Sequence, residues 1–281
     1  IVLLAGNHDH ALIAPWLEAR AQPPPAPPLG LESRAPADAS ALTALVADWA
    51  APAALTVAYP GVRLREDVYA THGHYLDRLI AIPTFERLAA GAMARVTGPL
   101  PAPRASAEDF EAALGPLYAW LHALANGPAA GTWTAGRQSS SARTWRMLAG
   151  DGHRPLRGRA LARLLPLAVL ALNRGGIGPV QADISGAELR RCGLLAMAQA
   201  AQRLGVDRGH VIFGHTHRAG PLDGEDRGEW THAGGALQLH NSGSWVEEPV
   251  FTRGDHASPY WAGRAIELDD DGPPRLVRVL S

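Results

Sequence analysis

The stretch VIFGHTH at residues 211–217 joins a short apolar run to a turn that carries two histidines. An apolar run of this length, bounded by glycine, is typical of a buried strand. Side chains that directly follow a buried strand are held by a rigid sheet, and functional residues collect at such positions. Imidazoles at His215 and His217 can straddle two divalent ions, which lie about 3.5–4 Å apart in two-metal sites. The stretch therefore predicts a metal-binding strand end.

Two further segments repeat this pattern of an apolar strand followed by potential metal ligands. GNHD at residues 6–9 follows the apolar run 1–5, and THGH at 71–74 follows the run 68–70. A fourth segment, NSGSW at 241–245, follows the expected strand 237–240. Imidazole nitrogens and amide oxygens suit divalent Mn, Fe, Zn or Ni. Strands that alternate with helical patterns predict an α/β fold with these segments gathered at one site.

The order of these four segments resembles the motif series of the calcineurin-like metallophosphoesterases. The resemblance implies a layered β-sandwich flanked by helices, two bound divalent ions and a hydroxide bridging them as nucleophile. It implies hydrolysis of a phosphate monoester, a phosphodiester or a pyrophosphate, with a small or lipid-linked ester as substrate. It also implies that the 241–245 loop closes under the metals. The implied metal ligands are Asn7, His72 and His215 on the second ion and His217 on the first.

The same resemblance implies two catalytic residues and one ambiguous neighbour. His8 would contact the scissile phosphate and protonate the leaving oxygen, and Asp9 would orient His8. His74 either supports His72 or faces the substrate. For Asp77, the sequence favours a cap of the following helix over the alternative, a hydrogen bond to a ligand histidine.

The family pattern also contains an Asp-x-His and a Gly-Asp motif upstream of GNHD, and both are missing before Ile1. We therefore expect an N-terminally truncated chain that binds metal poorly and is inactive or weakly active by itself, with permutation or true loss of the two motifs as the alternatives. Two segments, 151–153 and 224–228, match these motifs by letters. Neither follows an expected core strand, and we expect neither to supply ligands.

The chain is expected to form a single domain with a core of residues 1–82 and 205–281. A helical cap interrupts this core at about residues 83–204, with helix starts predicted at the capping pairs Ser106/Asp109 and Ser185/Glu188. Within the core, strands are expected near 55–58 and 62–64, separated by a turn at Pro60-Gly61. Between residues 137 and 174 there are eight arginines and one acid. This excess either forms a solvated helix face or binds substrate phosphates, with Arg143, Arg146 and Arg157 as candidates.

Charge and cysteine content limit the remaining alternatives. The formal net charge is −1, which argues against nucleic acid as a partner, although a nuclease of the same superfamily stays open. A metal-binding scaffold without catalysis is the other alternative, and the presence of His8 and Asp9 favours the enzyme. A single cysteine and the absence of a long apolar run predict a cytoplasmic protein with no membrane span.

Overall fold

The computed structural model describes residues 1–24, 26–126, 166–183, 185–247, 249–252 and 254–280. Nine strands lie in this part of the chain: β1 Val2–Leu4, β2 Glu32–Ala35, β3 Thr56–Arg65, β4 Val68–Thr71, β5 Gly209–Phe213, β6 Thr231–His232, β7 Leu237–Asn241, β8 Arg264–Glu267 and β9 Arg275–Arg278. The longer helices are α1 His10–Arg20, α2 Ala41–Ala50, α3 Phe85–Thr97, α4 Ala107–Asn126, α5 at 166–174 and α6 Gly186–Arg203, followed by the short α7 Pro249–Thr252. Short 3-10 helices cover His74–Arg78, Arg227–Trp230 and Ala233–Gly235.

The fold is α/β, with a mixed seven-stranded sheet flanked by helices. The sheet runs in the order β1-β3-β4-β5-β7-β6, and β2 pairs with β3 beside this path. Strands β4, β5 and β7 are parallel, so their carboxyl ends lie at the same edge of the sheet. Strands β8 and β9 form a separate antiparallel pair.

Strand β3 brings the carboxyl end of β1 close to the carboxyl end of β4. The expected break at Pro60-Gly61 is wrong, because β3 continues through both residues. Strand β1 runs parallel to the first half of β3, ending with Leu4 opposite Ala58, whereas β4 runs antiparallel to the second half and ends opposite Gly61. The carboxyl ends of β1 and β4 therefore approach the middle of β3 from opposite directions.

The physical reason for the uninterrupted strand is visible at Gly61. A Cβ at this position would lie 2.3 Å from the hydroxyl oxygen of Tyr69, so the missing side chain gives Tyr69 its place. Pro60 lacks an N–H, but its carbonyl oxygen accepts a 2.8 Å hydrogen bond from the hydroxyl of Thr71. Pro60 and Gly61, which suggest a turn in the sequence, instead allow β3 and β4 to pack closely.

The helices assigned to the cap share one hydrophobic core with the sheet. Phe110 and Leu114 of α4 and Met197 of α6 belong to the same buried cluster as Tyr69 and Val211 of the sheet. Each helix start lies where its capping pair predicts. The backbone N–H of Asp109 donates to the Ser106 hydroxyl oxygen at 3.2 Å, and that of Glu188 to the Ser185 hydroxyl oxygen at 3.3 Å. The caps define where α4 and α6 begin, and both helices pack against the sheet.

No helix in the described ranges is both long enough and apolar enough to cross a bilayer.

Candidate functional site

Three side chains that are far apart in the sequence meet where strands β1, β4 and β5 end. Nε2 of His72 lies 3.0 Å from Oδ1 of Asn7 and 3.3 Å from Nδ1 of His215, across separations of 65 and 143 residues. Each residue follows a strand: β1 for Asn7, β4 for His72 and β5 for His215. We call these three residues the triad. They are the set that the sequence predicts as ligands of one ion.

Gly6 allows the triad to be this compact. A Cβ at Gly6 would lie 2.6 Å from atoms of the His72 ring, so any larger residue would push the ring away from Asn7. Burial, together with the charges of His215, His8 and His217, lowers the pKa of His72 to about 3. His72 is therefore neutral at physiological pH, the form in which imidazole binds a metal.

The second ring nitrogen of His215 is held by a carboxylate. Nε2 of His215 lies 2.9 Å from Oδ1 of Asp77, and the hydroxyl of Tyr118 donates to Oδ2 of Asp77 at 2.9 Å. Burial lowers the pKa of His215 and the Asp77 carboxylate raises it, with a net upward shift. A proton on Nε2 shared with Asp77 leaves the lone pair of Nδ1 directed at the triad. Asp77 thus takes the less favoured of its two predicted roles.

The turn at residues 214–217 has an unusual backbone. His215 and His217 have φ angles of 61° and 59°, in the left-handed region that residues other than glycine seldom occupy. The side-chain amide of Asn241 holds the turn, donating to the carbonyl oxygen of Gly214 at 3.0 Å and to the hydroxyl of Thr216 at 2.8 Å. Strain of this kind clusters at functional sites, where the surrounding structure maintains it. The 241–245 loop therefore supports the histidine turn directly.

The remaining predicted site residues lie around the triad. His8 is exposed, His217 is partly buried, and both are near enough for their charges to act on the pKa of His72. Asp9 is exposed, and its carboxylate accepts a 3.1 Å hydrogen bond from the backbone N–H of Gly6. Within the described residues, no hydrogen bond joins Asp9 to His8. Asp9 therefore closes the turn that presents Asn7 and His8.

His74 lies behind the triad in a buried polar network. It is 1% exposed, and its Nε2 lies 3.2 Å from the hydroxyl oxygen of Tyr59. The hydroxyls of Tyr59 and Tyr75 both donate to Oε1 of Glu111 on α4, and burial raises the pKa of that carboxyl. Because Tyr59 donates to Glu111, its oxygen is free to accept from Nε2–H of His74. This placement favours a supporting role for His74 over contact with substrate.

Searches of protein-family models, curated proteins and solved structures find no match to this chain.

The function is therefore inferred from the geometry of the site. Among the described residues, no three His, Cys, Asp or Glu side chains form a group that could hold a metal, and the third donor of the triad is the amide oxygen of Asn7. An imidazole–amide set is still a suitable one for a divalent ion of borderline hardness.

Two of the sequence predictions concern segments away from the triad. Arg143, Arg146 and Arg157, and the 151–153 segment, lie outside the described residues. The 224–228 segment is described: Glu225 pairs with Arg218, and the Asp226 side chain caps a 3-10 helix by accepting from the N–H of Gly228. Both carboxylates thus have structural partners.

Two residues of the site, Glu111 and Tyr118, belong to no sequence motif. Glu111 and Tyr118 lie on α4, and nothing in the local sequence marks them as functional. They reach the site only because α4 packs against β3 and the 3-10 helix at His74–Arg78. Asp77 lies within one turn of His74 in the sequence. The direction of its side chain, however, depends on the 3-10 helix His74–Arg78.

Proposed function

We propose that this chain is a metal-dependent phosphoesterase with the layered fold of the calcineurin-like superfamily. Its substrates are small or lipid-linked phosphate esters or pyrophosphates. The observation that carries the proposal is the triad: Nε2 of His72 lies within 3.3 Å of a donor atom of both Asn7 and His215, although the three residues follow three separate strands.

The spacing of the triad supports a shared ion. Bonds of about 2.0–2.1 Å to a tetrahedral ion place neighbouring donor atoms roughly 3.3 Å apart. The two measured separations, 3.0 and 3.3 Å, agree with this value. The low pKa of His72 keeps its ring neutral, and a proton shared between Nε2 of His215 and Asp77 would leave Nδ1 of His215 available to an ion.

The other residues of the site have roles that follow from where they lie. When bound, two cations polarise phosphoryl oxygens and lower the pKa of water. His217 is the candidate ligand of the other ion. His8, exposed within the 6–9 turn, would contact the phosphate and donate a proton to the leaving oxygen. Asp77 and Tyr118 would hold His215 in orientation.

Metal binding and hydrolysis, measured on matched histidine variants of a protein that joins this chain to the Asp-x-His and Gly-Asp motifs of the family, test this proposal. His215→Ala should lower the affinity for Mn²⁺ at least tenfold and also abolish hydrolysis of p-nitrophenyl phosphate, because it removes a ligand. His8→Ala should keep the metal and lower turnover by about 10²–10⁴-fold, the usual contribution of a general acid. His256→Ala, at an exposed position outside the site, is the control and should change neither quantity.

The same measurements separate the two alternatives. Metal binding that depends on His215, with no hydrolysis of any phosphate ester, would identify a metal-binding scaffold. Preferential cleavage of DNA or RNA over small esters would identify a nuclease. Equal loss of metal in His8→Ala and His215→Ala would contradict the role assigned to His8.

A further inference from the structure

Arg87, near the start of α3, is a buried charge that has no counter-ion within the described ranges. Its side chain is 2% exposed, and its Nε donates to the carbonyl oxygen of Ile80 at 2.8 Å. Its Nη1 is buried and has no hydrogen-bond partner in the part of the chain that the structure describes. Among the described residues, none forms an ion pair with Arg87. A guanidinium cannot escape this situation by losing its proton, because it stays charged in proteins.

Two further arginines are coupled to this position by charge, Arg78 directly and Arg203 through Arg78. Arg78 is half-buried, and its Nε is buried with no hydrogen-bond partner among the described residues. Burial and the charge of Arg78 lower the pKa of Arg87, and burial and the charge of Arg203 lower that of Arg78. Neither Arg78 nor Arg203 has an ion-pair partner in the described ranges. We call Arg78, Arg87 and Arg203 the basic cluster.

Such a cluster is unfavourable unless something compensates it. Burying an ionised group without a partner costs several kcal/mol, and like charges close together add to that cost. Native proteins seldom retain this arrangement for packing alone, because an apolar side chain of similar volume would be more stable. Guanidinium groups bind planar and tetrahedral oxyanions through paired N–H donors, and two unpartnered donors are available here.

We propose that the basic cluster is a binding site for a small tetrahedral oxyanion, of which inorganic phosphate and sulfate are the representatives. The burial of Arg87 restricts the ligand to a free ion, since a larger phosphorylated molecule would not reach its Nη1. The site is separate from the triad and does not depend on the proposed function. It is connected to the triad through the chain, because Arg78 directly follows Asp77 on the 3-10 helix His74–Arg78.

Thermal unfolding of the full chain in sodium phosphate or sodium sulfate, against sodium chloride at equal ionic strength, tests the proposal. At ten times the dissociation constant, the oxyanion should raise Tm by about 2–3 °C. Arg87→Met should abolish this rise. Arg95→Met removes one charge from an exposed position on the same helix and should keep the rise. In chloride alone, Arg87→Met should melt no lower than the unmodified chain, because it no longer buries an unpaired charge.

Further arms of the experiment separate this site from the triad and define the ligand. His8→Ala should keep the rise in Tm. If the rise is lost in His8→Ala but kept in Arg87→Met, the anion binds at the triad and the proposal is wrong. A rise that survives in Arg87→Met, or no rise in the unmodified chain, would equally overturn it. Glycerol phosphate should stabilise less than inorganic phosphate, and an equal effect would contradict the restriction to a small ion. If Arg87→Met does not fold, Arg78→Met at a half-buried position must show the same loss of response.

Discussion

Oδ1 of Asp77 lies 2.9 Å from Nε2 of His215, and the other carboxylate oxygen accepts a hydrogen bond from Tyr118. The three groups form a chain from helix α4 through the 3-10 helix to the triad. The Tyr118 hydroxyl oxygen also lies 3.1 Å from the carbonyl oxygen of His74, so its one proton is shared between this carbonyl and the Asp77 carboxylate. Helix α4 thereby controls the direction of a proposed metal ligand that lies 97 positions further along the chain, at His215 (215 − 118 = 97).

The first prediction concerns this chain of hydrogen bonds. Asp77→Asn should lower the affinity for Zn²⁺ about 10–100-fold, the usual effect of losing a group that orients a metal-ligating histidine. Tyr118→Phe should act in the same direction with a smaller effect, because Asp77 then keeps its charge but loses one donor. Isothermal titration of Zn²⁺ into each variant measures both effects. Asp48→Asn, at an exposed position on α2, is the matched control. An unchanged affinity in Asp77→Asn would mean that the backbone alone orients His215.

The second prediction concerns the buried carboxyl of Glu111. Glu111→Leu leaves the hydroxyls of Tyr59 and Tyr75 without their shared acceptor, and an unsatisfied buried group costs about 1–3 kcal/mol. Glu111→Gln retains an acceptor oxygen of the same reach and should be closer to the unmodified chain. Denaturant unfolding gives the free energy of unfolding for each variant. A similar loss in both would show that the charge of Glu111, rather than its acceptor oxygen, stabilises the network.

The third prediction concerns the pH dependence of stability. Burial and the charge of His210 lower the pKa of His240 from 6.5 to about 4, and its Nε2 lies 3.0 Å from Nδ1 of His210. Between these two pH values the unfolded chain binds a proton at this position and the folded chain does not. The free energy of unfolding therefore falls as pH falls from about 6.5 to about 4.

Removing the titrating group should flatten this dependence. Between pH 7 and pH 5, His240→Gln should lose on the order of 2 kcal/mol less stability than the unmodified chain, by the linkage of pKa to free energy. His72 contributes in the same direction down to about pH 3 and remains in the variant. Urea unfolding at the two pH values measures the difference. Equal slopes in the two proteins would show that His240 is protonated in the folded state.

The sequence by itself determined which strands carry the candidate ligands. Each of Asn7, His72 and His215 closely follows a short apolar run. Such a run indicates a buried strand, so the strand ends could be predicted without a structure. The capping pairs at Ser106 and Ser185 are equally local, because the groups that they satisfy lie within one helical turn.

Tertiary structure alone decided how those strand ends meet and what surrounds them. The continuous path of β3 through Pro60-Gly61 depends on Tyr69 filling the space that Gly61 leaves, a contact invisible in the turn-like sequence. The roles of Glu111, Tyr118 and Arg87 depend on helices packing against the sheet, since a carboxylate, a hydroxyl or a guanidinium has no fixed partner in sequence. Burial determines whether each of these groups must find one.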